Sequence, residues 1–291
     1  MSQPDRQRAS RFIEAPDGLR LHYLDYPAQA AERAPVVCLP GLARSAEDFD
    51  FLARALAGEG RRVLALDYRG RGRSQWDADW RNYVLDIEQA DIFAVLADAG
   101  VASAVFVGTS RGGIHAMRLA LARPGLVLAA VLNDIGPKLG LTGLLRIKRY
   151  VGRLPPLASM ADAIGLMRLT AGASFSNVSA DEWETYAGHT FAETNGKVVL
   201  QYDPELSHTL DTVAPDMEPP DFWPEFAALA RVPVLGVRGA NSDILLAETF
   251  DEMARRHPDF EAFTVEGQGH APLLLDPPTI SRIVAFTRRC P

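Results

Sequence analysis

Gly108-Thr109-Ser110-Arg111-Gly112 places a serine between two glycines, after the apolar run Ala104-Val105-Phe106-Val107 and before a segment patterned as a helix. A strand, sharp turn and helix around Gly-x-Ser-x-Gly is the nucleophile-elbow pattern, which lifts a serine hydroxyl above the edge of a sheet. The chemistry this implies is attack on a carbonyl carbon. A serine hydroxyl is a weak nucleophile at neutral pH, so Ser110 needs a base within hydrogen-bonding reach and an acid to orient that base. Among six histidines, His270 is the expected base. In Val265-Glu266-Gly267-Gln268-Gly269-His270 it follows the last apolar strand, at the strand end where ligands of open α/β sheets bind. His115 is expected to pack on the elbow helix, His22 in a hairpin and His257 at a helix end. His189 and His208 fall in an insertion, where they are candidates to touch substrate.

Two carboxylates compete for the acid. Asp243 follows the first strand after the insertion, whereas Asp134 ends the last strand before it. Asp243 is the expected acid, fitting the order serine, acid, histidine with the acid at its usual place, and Asp134 is the alternative. Donors to a developing oxyanion are expected from two backbone amides. One is Arg111 N–H, directly after the nucleophile. The other is Leu42 N–H, in the loop Pro40-Gly41-Leu42-Ala43-Arg44-Ser45. Only the amide of Arg111 is required, and its guanidinium is left either solvated or paired with a carboxylate of the insertion.

The elements that must position these groups are legible in the hydrophobic pattern. Phe12 to Ala15 and Leu19 to Tyr26 flank Pro16-Asp17-Gly18, a hairpin turn signal. Short apolar runs then alternate with longer amphipathic stretches: Val36 to Leu39, Ala46 to Ala57, Val63 to Leu66, Tyr83 to Ala99, Ala104 to Val107, Gly112 to Ala122 and Leu128 to Leu132. Such alternation predicts parallel strands with crossover helices on both faces. The rhythm breaks after Asn133-Asp134-Ile135-Gly136-Pro137 and resumes at Val232 to Val237. Between them, Gly143 to Gly152, Met160 to Thr170 and Ser179 to Phe191 read as helices, the last opened by a capping-box pattern at Ser179 and Glu182.

Composition excludes several classes. The 291 residues are 47% hydrophobic and 23% charged, with a net charge of −7, which argues against nucleic-acid binding or a polybasic membrane clamp. Met1 to Arg11 is polar, no apolar run approaches a membrane span, and two cysteines make neither a disulfide framework nor a zinc site. The expected setting is cytoplasmic, with no cofactor, no metal, no membrane association and a small molecule as partner.

Further stretches carry a resemblance that covers nearly the whole chain. Leu39-Pro40-Gly41, Asp67-Tyr68-Arg69-Gly70-Arg71-Gly72-Arg73-Ser74 and Gly267-Gln268-Gly269-His270, with the elbow, are similar to a bacterial α/β-hydrolase with a helical cap. The resemblance implies an α/β-hydrolase fold: a mostly parallel eight-stranded sheet with helices on both faces, formed by residues 1–137 and 222–291, and a helical cap over 138–221. Leu39 departs from the histidine that usually braces the oxyanion loop. A serine nucleophile sets the chain apart from family members using aspartate or cysteine, and Ala271 stands where carbon–carbon bond hydrolases carry tryptophan. The activity implied is hydrolysis of small, partly apolar carboxylic esters or lactones through an acyl-enzyme. Carbon–carbon bond hydrolysis and a slow-turnover ligand receptor are the alternatives. Leu141, Leu144, Leu145, Met160, Leu166, Met167, Phe175, Trp183 and Tyr186 either line an acyl pocket or fasten the cap.

Overall fold

The computed structural model describes residues 8–28 and 33–291, so the first seven residues of the polar N-terminus lie outside it. The chain opens with the hairpin of β1 (Ala9–Glu14) and β2 (Arg20–Tyr26), paired antiparallel from Ala9↔Asp25 to Glu14↔Arg20. Gly18, at φ +86°, takes the turn conformation that its place after Asp17 predicts. Strand and helix then alternate through β3 (Val36–Leu39), α1 (Asp50–Gly58), β4 (Val63–Asp67), α2 (Leu85–Asp98), β5 (Ala104–Thr109), α3 (Arg111–Ala122) and β6 (Val127–Asn133).

Between β6 and the next strand of the sheet lie α4 (Leu141–Tyr150), α5 (Met160–Ala171), α6 (Ala180–Gly188), β7 (Phe191–Thr194), β8 (Lys197–Leu200) and α7 (Trp223–Ala227). The sheet then resumes with β9 (Val234–Gly239), α8 (Ala247–Arg256), β10 (Phe260–Val265) and α9 (Pro277–Arg288). Its eight strands run in the order β1-β2-β4-β3-β5-β6-β9-β10. β2 is antiparallel to β1 and β4, and the remaining neighbours are parallel.

Period-two alternation divides the core into two layers. On β3, Val37 and Leu39 face one layer together with Leu64, Phe106 and Met117, whereas Val36 and Cys38 face the other with Leu52 and Phe286. α2 and α3 therefore pack on one face of the sheet, and α1 and α9 on the other. α2 is unusual in that Glu88 and Asp91 share its buried face with Ile92, Val95 and Leu96.

The inserted segment departs from its expected all-helical character. α6 begins with the capping box at Ser179 and Glu182, but it stops at Gly188, and Phe191 starts the β7–β8 hairpin rather than ending a helix. Asn195 (φ +52°) and Gly196 (φ +71°) form the two-residue turn between Thr194 and Lys197. The two ends of the segment meet at its base, where the backbones of Lys138 and Asp221 pair in an antiparallel β-bridge and Phe222 N–H donates to Pro137 C=O at 2.8 Å.

Candidate active site

β5 delivers Ser110 to a turn that its neighbours make possible. Ser110 sits at φ +51°, ψ −116°, a strained conformation for a residue with a side chain. The strand and helix flanking it approach so closely that a Cβ on Gly108 would lie 2.4 Å from the Gly112 backbone. One on Gly112 would lie 1.9 Å from Leu39 O, so both positions must be glycine. The turn is tied to the end of β6: Ser110 N–H donates to Asn133 O at 3.0 Å, and the fully buried Asn133 side chain donates to Thr109 Oγ1 and Pro272 O, each at 3.0 Å.

His270 faces the serine from the loop after β10, with Nε2 2.9 Å from Ser110 Oγ and Nδ1 2.7 Å from Asp134 Oδ2. A carboxylate only accepts, so Nδ1 carries the proton and Nε2 is left to accept from the serine hydroxyl. Asp134, at the end of β6, is itself fully buried. It also accepts from Gly239 N–H at 2.7 Å and from Ser242 Oγ–H at 2.5 Å, which satisfies its charge without solvent.

The expected acid is corrected by this geometry. The carboxylate on the His270 ring belongs to Asp134, while Asp243 turns toward the inserted segment and pairs with Arg146 at 2.6 and 2.7 Å. Burial opposes ionisation of Asp243, but the Arg146 guanidinium outweighs it and holds its carboxyl below the usual range. The physical reason is one residue of phase. After β9 it is Ser242 whose side chain points inward, bonding Asp134 and capping the amides of Ile244 and Leu245 at 3.2 and 3.1 Å. Asp243 consequently points the other way.

The loop after β3 lies beside the nucleophile, and a Cβ on Gly41 would be 3.8 Å from Ser110 Cβ. Its carbonyl is held by Arg71, a fully buried residue of the stretch 67–74. Arg71 Nε donates to Leu42 O at 2.7 Å, and its Nη1 donates to Arg69 O at 2.6 Å and pairs with Glu88 at 2.9 Å. Glu88 also receives Arg111 Nε at 2.6 Å and faces His115 Nε2 at 3.0 Å. Burial opposes the charge on Glu88, yet Arg111, Arg71 and His115 together keep it ionised far below the usual glutamate range. The Arg111 guanidinium is thus neither solvated nor paired with the inserted segment, but held from beneath by α2. The signal for this cluster was an acid, Glu88, on what should have been an apolar helix face.

The remaining histidines are placed away from Ser110. His22 binds Asp67 at 2.7 Å, and His257 Nε2 donates to Leu229 O at 2.9 Å. His189 binds Asp48 at 3.1 Å, and the half-buried His208 binds Asp211 at 2.8 Å, so neither histidine of the inserted segment reaches the serine. Among the described residues, no group of three or more His, Cys, Asp or Glu side chains is arranged to hold a metal ion. Among them, too, no helix is long and apolar enough to cross a membrane.

Ser110 and His270 open into a cavity of about 440 Å³ between the sheet's strand ends and the inserted segment. Leu154, Leu166, Met167, Phe191 and Leu200 give it apolar walls, and Arg44, Arg146, Arg149 and Arg153 are the cations on them. Of the apolar residues weighed for a pocket, Leu166, Met167 and Tyr186 line it, whereas Phe175 and Trp183 fasten the segment against Leu273 and Leu275. Leu144 and Leu145 pack with the cluster around Tyr83 and Tyr202.

The chain is similar to proteins with named activities. It is 34% identical over 275 residues to a 3-hydroxybutyrate-oligomer hydrolase of Cupriavidus necator, covering 92% of each chain. It is 30% identical over 252 residues to an sn-1-specific diacylglycerol lipase of Xenopus tropicalis, covering 83% of this chain and 73% of that one. Among solved structures, an α/β hydrolase from Novosphingobium aromaticivorans superposes with a TM-score of 0.90 at 37% identity, covering 97% of this chain and 98% of that one. Residues 36–281 match the model of the alpha/beta hydrolase family. The chain belongs to the alpha/beta hydrolase family.

Proposed function

We propose that the protein is a serine hydrolase that cleaves carboxylic ester bonds through an acyl-enzyme. The observation that carries this reading is the continuous relay from Ser110 Oγ through His270 to Asp134, at 2.9 and 2.7 Å, opening into a cavity of about 440 Å³. Ser110 attacks the ester carbonyl as His270 Nε2 takes its proton. The imidazolium so formed is stabilised by Asp134 and then returns the proton to the departing alcohol. The amides of Leu42 and Arg111 receive the oxyanion, each worth about 3 to 4 kcal/mol of transition-state stabilisation. Water, activated by the same histidine, releases the acid.

The substrate class is a short ester of a hydroxy acid. Its support is the named substrate of the Cupriavidus necator relative, matched over 92% of both chains, together with a cavity whose mainly apolar walls suit short aliphatic units. Hydrolysis of p-nitrophenyl butyrate and of a linear 3-hydroxybutyrate dimer by wild type and Ser110→Ala tests the reading. Ser110→Ala is expected to abolish turnover of both. Turnover by Ser110→Ala near the wild-type rate refutes a serine mechanism.

A further inference from the structure

We infer that Arg149 and Arg153 form a carboxylate-binding subsite at the mouth of the cavity, so that the enzyme selects esters whose far end is a free carboxylate. The inference rests on the serine ester hydrolysis proposed above and names the residues that would read the substrate's charged end.

The four arginines on the cavity wall fall into two pairs. Arg44 is neutralised by Asp48, which its Nε reaches at 2.6 Å, and Arg146 by Asp243 at 2.6 and 2.7 Å. Arg149 and Arg153 are exposed, and among the described residues their guanidinium groups have no hydrogen-bond or ion-pair partner. Asp48 is the carboxylate on the wall, and it is already engaged by Arg44 and His189. The mouth therefore carries two uncompensated positive charges on a chain of net charge −7.

A cation in the last turn of a helix commonly answers the helix dipole, and Arg149 lies in the last turn of α4. That explains a positive charge but not its place on the cavity wall, and Arg153 lies beyond the helix altogether. Lys148, the neighbouring cation of the same turn, shows the alternative use: its ammonium binds the carbonyls of Asp211 and Val213 at 2.9 and 2.8 Å. A guanidinium offers a planar fork that fits a carboxylate with two parallel hydrogen bonds, and a positive mouth raises the local concentration of anionic substrate. A hydroxy-acid ester presents the matching layout: an ester carbonyl for Ser110, an aliphatic middle for Leu154, Leu166 and Met167, and a carboxylate for the rim.

The test uses two esters that differ only in charge, 3-(butanoyloxy)butanoate and its primary amide. Wild type is expected to favour the carboxylate by about tenfold in kcat/KM. That ratio should shrink as NaCl rises from about 0.05 to about 0.5 M. In Arg149→Gln/Arg153→Gln the ratio is expected to fall to about one. Arg168→Gln makes a single charge change on α5 outside the cavity wall and should keep the wild-type ratio. A wild-type ratio of one, or a preference undiminished in the double variant, overturns the subsite while leaving ester hydrolysis intact. Failure of wild type to hydrolyse either ester, or hydrolysis of both by Ser110→Ala, overturns the serine esterase reading and the subsite with it.

Discussion

Replacing the two rival carboxylates by amides, one at a time, separates their roles. Asp134 is fully buried and accepts three hydrogen bonds, from His270 Nδ1, Ser242 Oγ and Gly239 N. In Asp134→Asn, one orientation turns the amide NH2 toward His270 and Ser242, which forces the imidazole into the tautomer that cannot accept the Ser110 proton. The other orientation keeps the ring bond but sets NH2 against Gly239 N–H, leaving buried donors without an acceptor. The loss expected for the wrong tautomer is about 10⁴-fold in kcat, or about 5 kcal/mol of transition-state stabilisation. The unpaired donors add a folding cost of about 1 to 3 kcal/mol.

Asp243→Asn removes only a partly exposed pairing with Arg146, side chains 29% and 37% exposed, worth about 0.2 to 1 kcal/mol after solvent screening. Its kcat on p-nitrophenyl butyrate is expected within about threefold of wild type. Thermal melts of both variants identify any loss due to unfolding. An Asp243→Asn enzyme that melts like wild type yet loses as much activity as Asp134→Asn would refute the assignment of Asp134.

Gly112→Ala places a methyl group 1.9 Å from the Leu39 carbonyl oxygen, so backbone rather than a flexible side chain must shift. It should destabilise the fold by more than about 4 kcal/mol, read as loss of soluble protein or a collapse of Tm, and a variant melting like wild type contradicts the close packing described for the elbow. Glu88 has a folded-state pKa held below its ordinary value of 4.5, so its ionic contribution is complete above about pH 4.5 and is lost as pH falls through the depressed value. Glu88→Gln removes that contribution at every pH: it is expected to be less stable near neutrality by about 3 to 5 kcal/mol and to show a flatter decline in acid, measured by denaturant melts across pH 3 to 7.

Ser110 and His270 were legible because each follows a strand in the alternation of strand and helix, and chain direction makes that the strand's carboxyl end. The acid was not, because β6 and β9 are adjacent strands that each end near an aspartate. Which one meets the imidazole depends on the direction of a side chain in a loop, where no periodicity operates. The signal overlooked in the inserted segment was Asn195-Gly196 between short runs of strand-forming residues, a hairpin mark that a helix-like flank obscured. The pairing of Glu88 with Arg71 leaves no such mark, because a buried ion cluster breaks the apolar pattern by which buried faces are recognised.

Leu39 stands where a histidine usually braces the oxyanion loop, and in this chain the loop is gripped by Arg71 instead. A histidine brace gains and loses a proton near neutrality, so the loop it steadies is retuned whenever the surroundings drift through its titration. A guanidinium stays protonated throughout that range. Fastened to the Leu42 carbonyl at 2.7 Å, it gives the loop the same grip in mildly acidic and mildly alkaline water. The hold on the loop therefore comes from a permanent charge rather than from a group that titrates near neutrality.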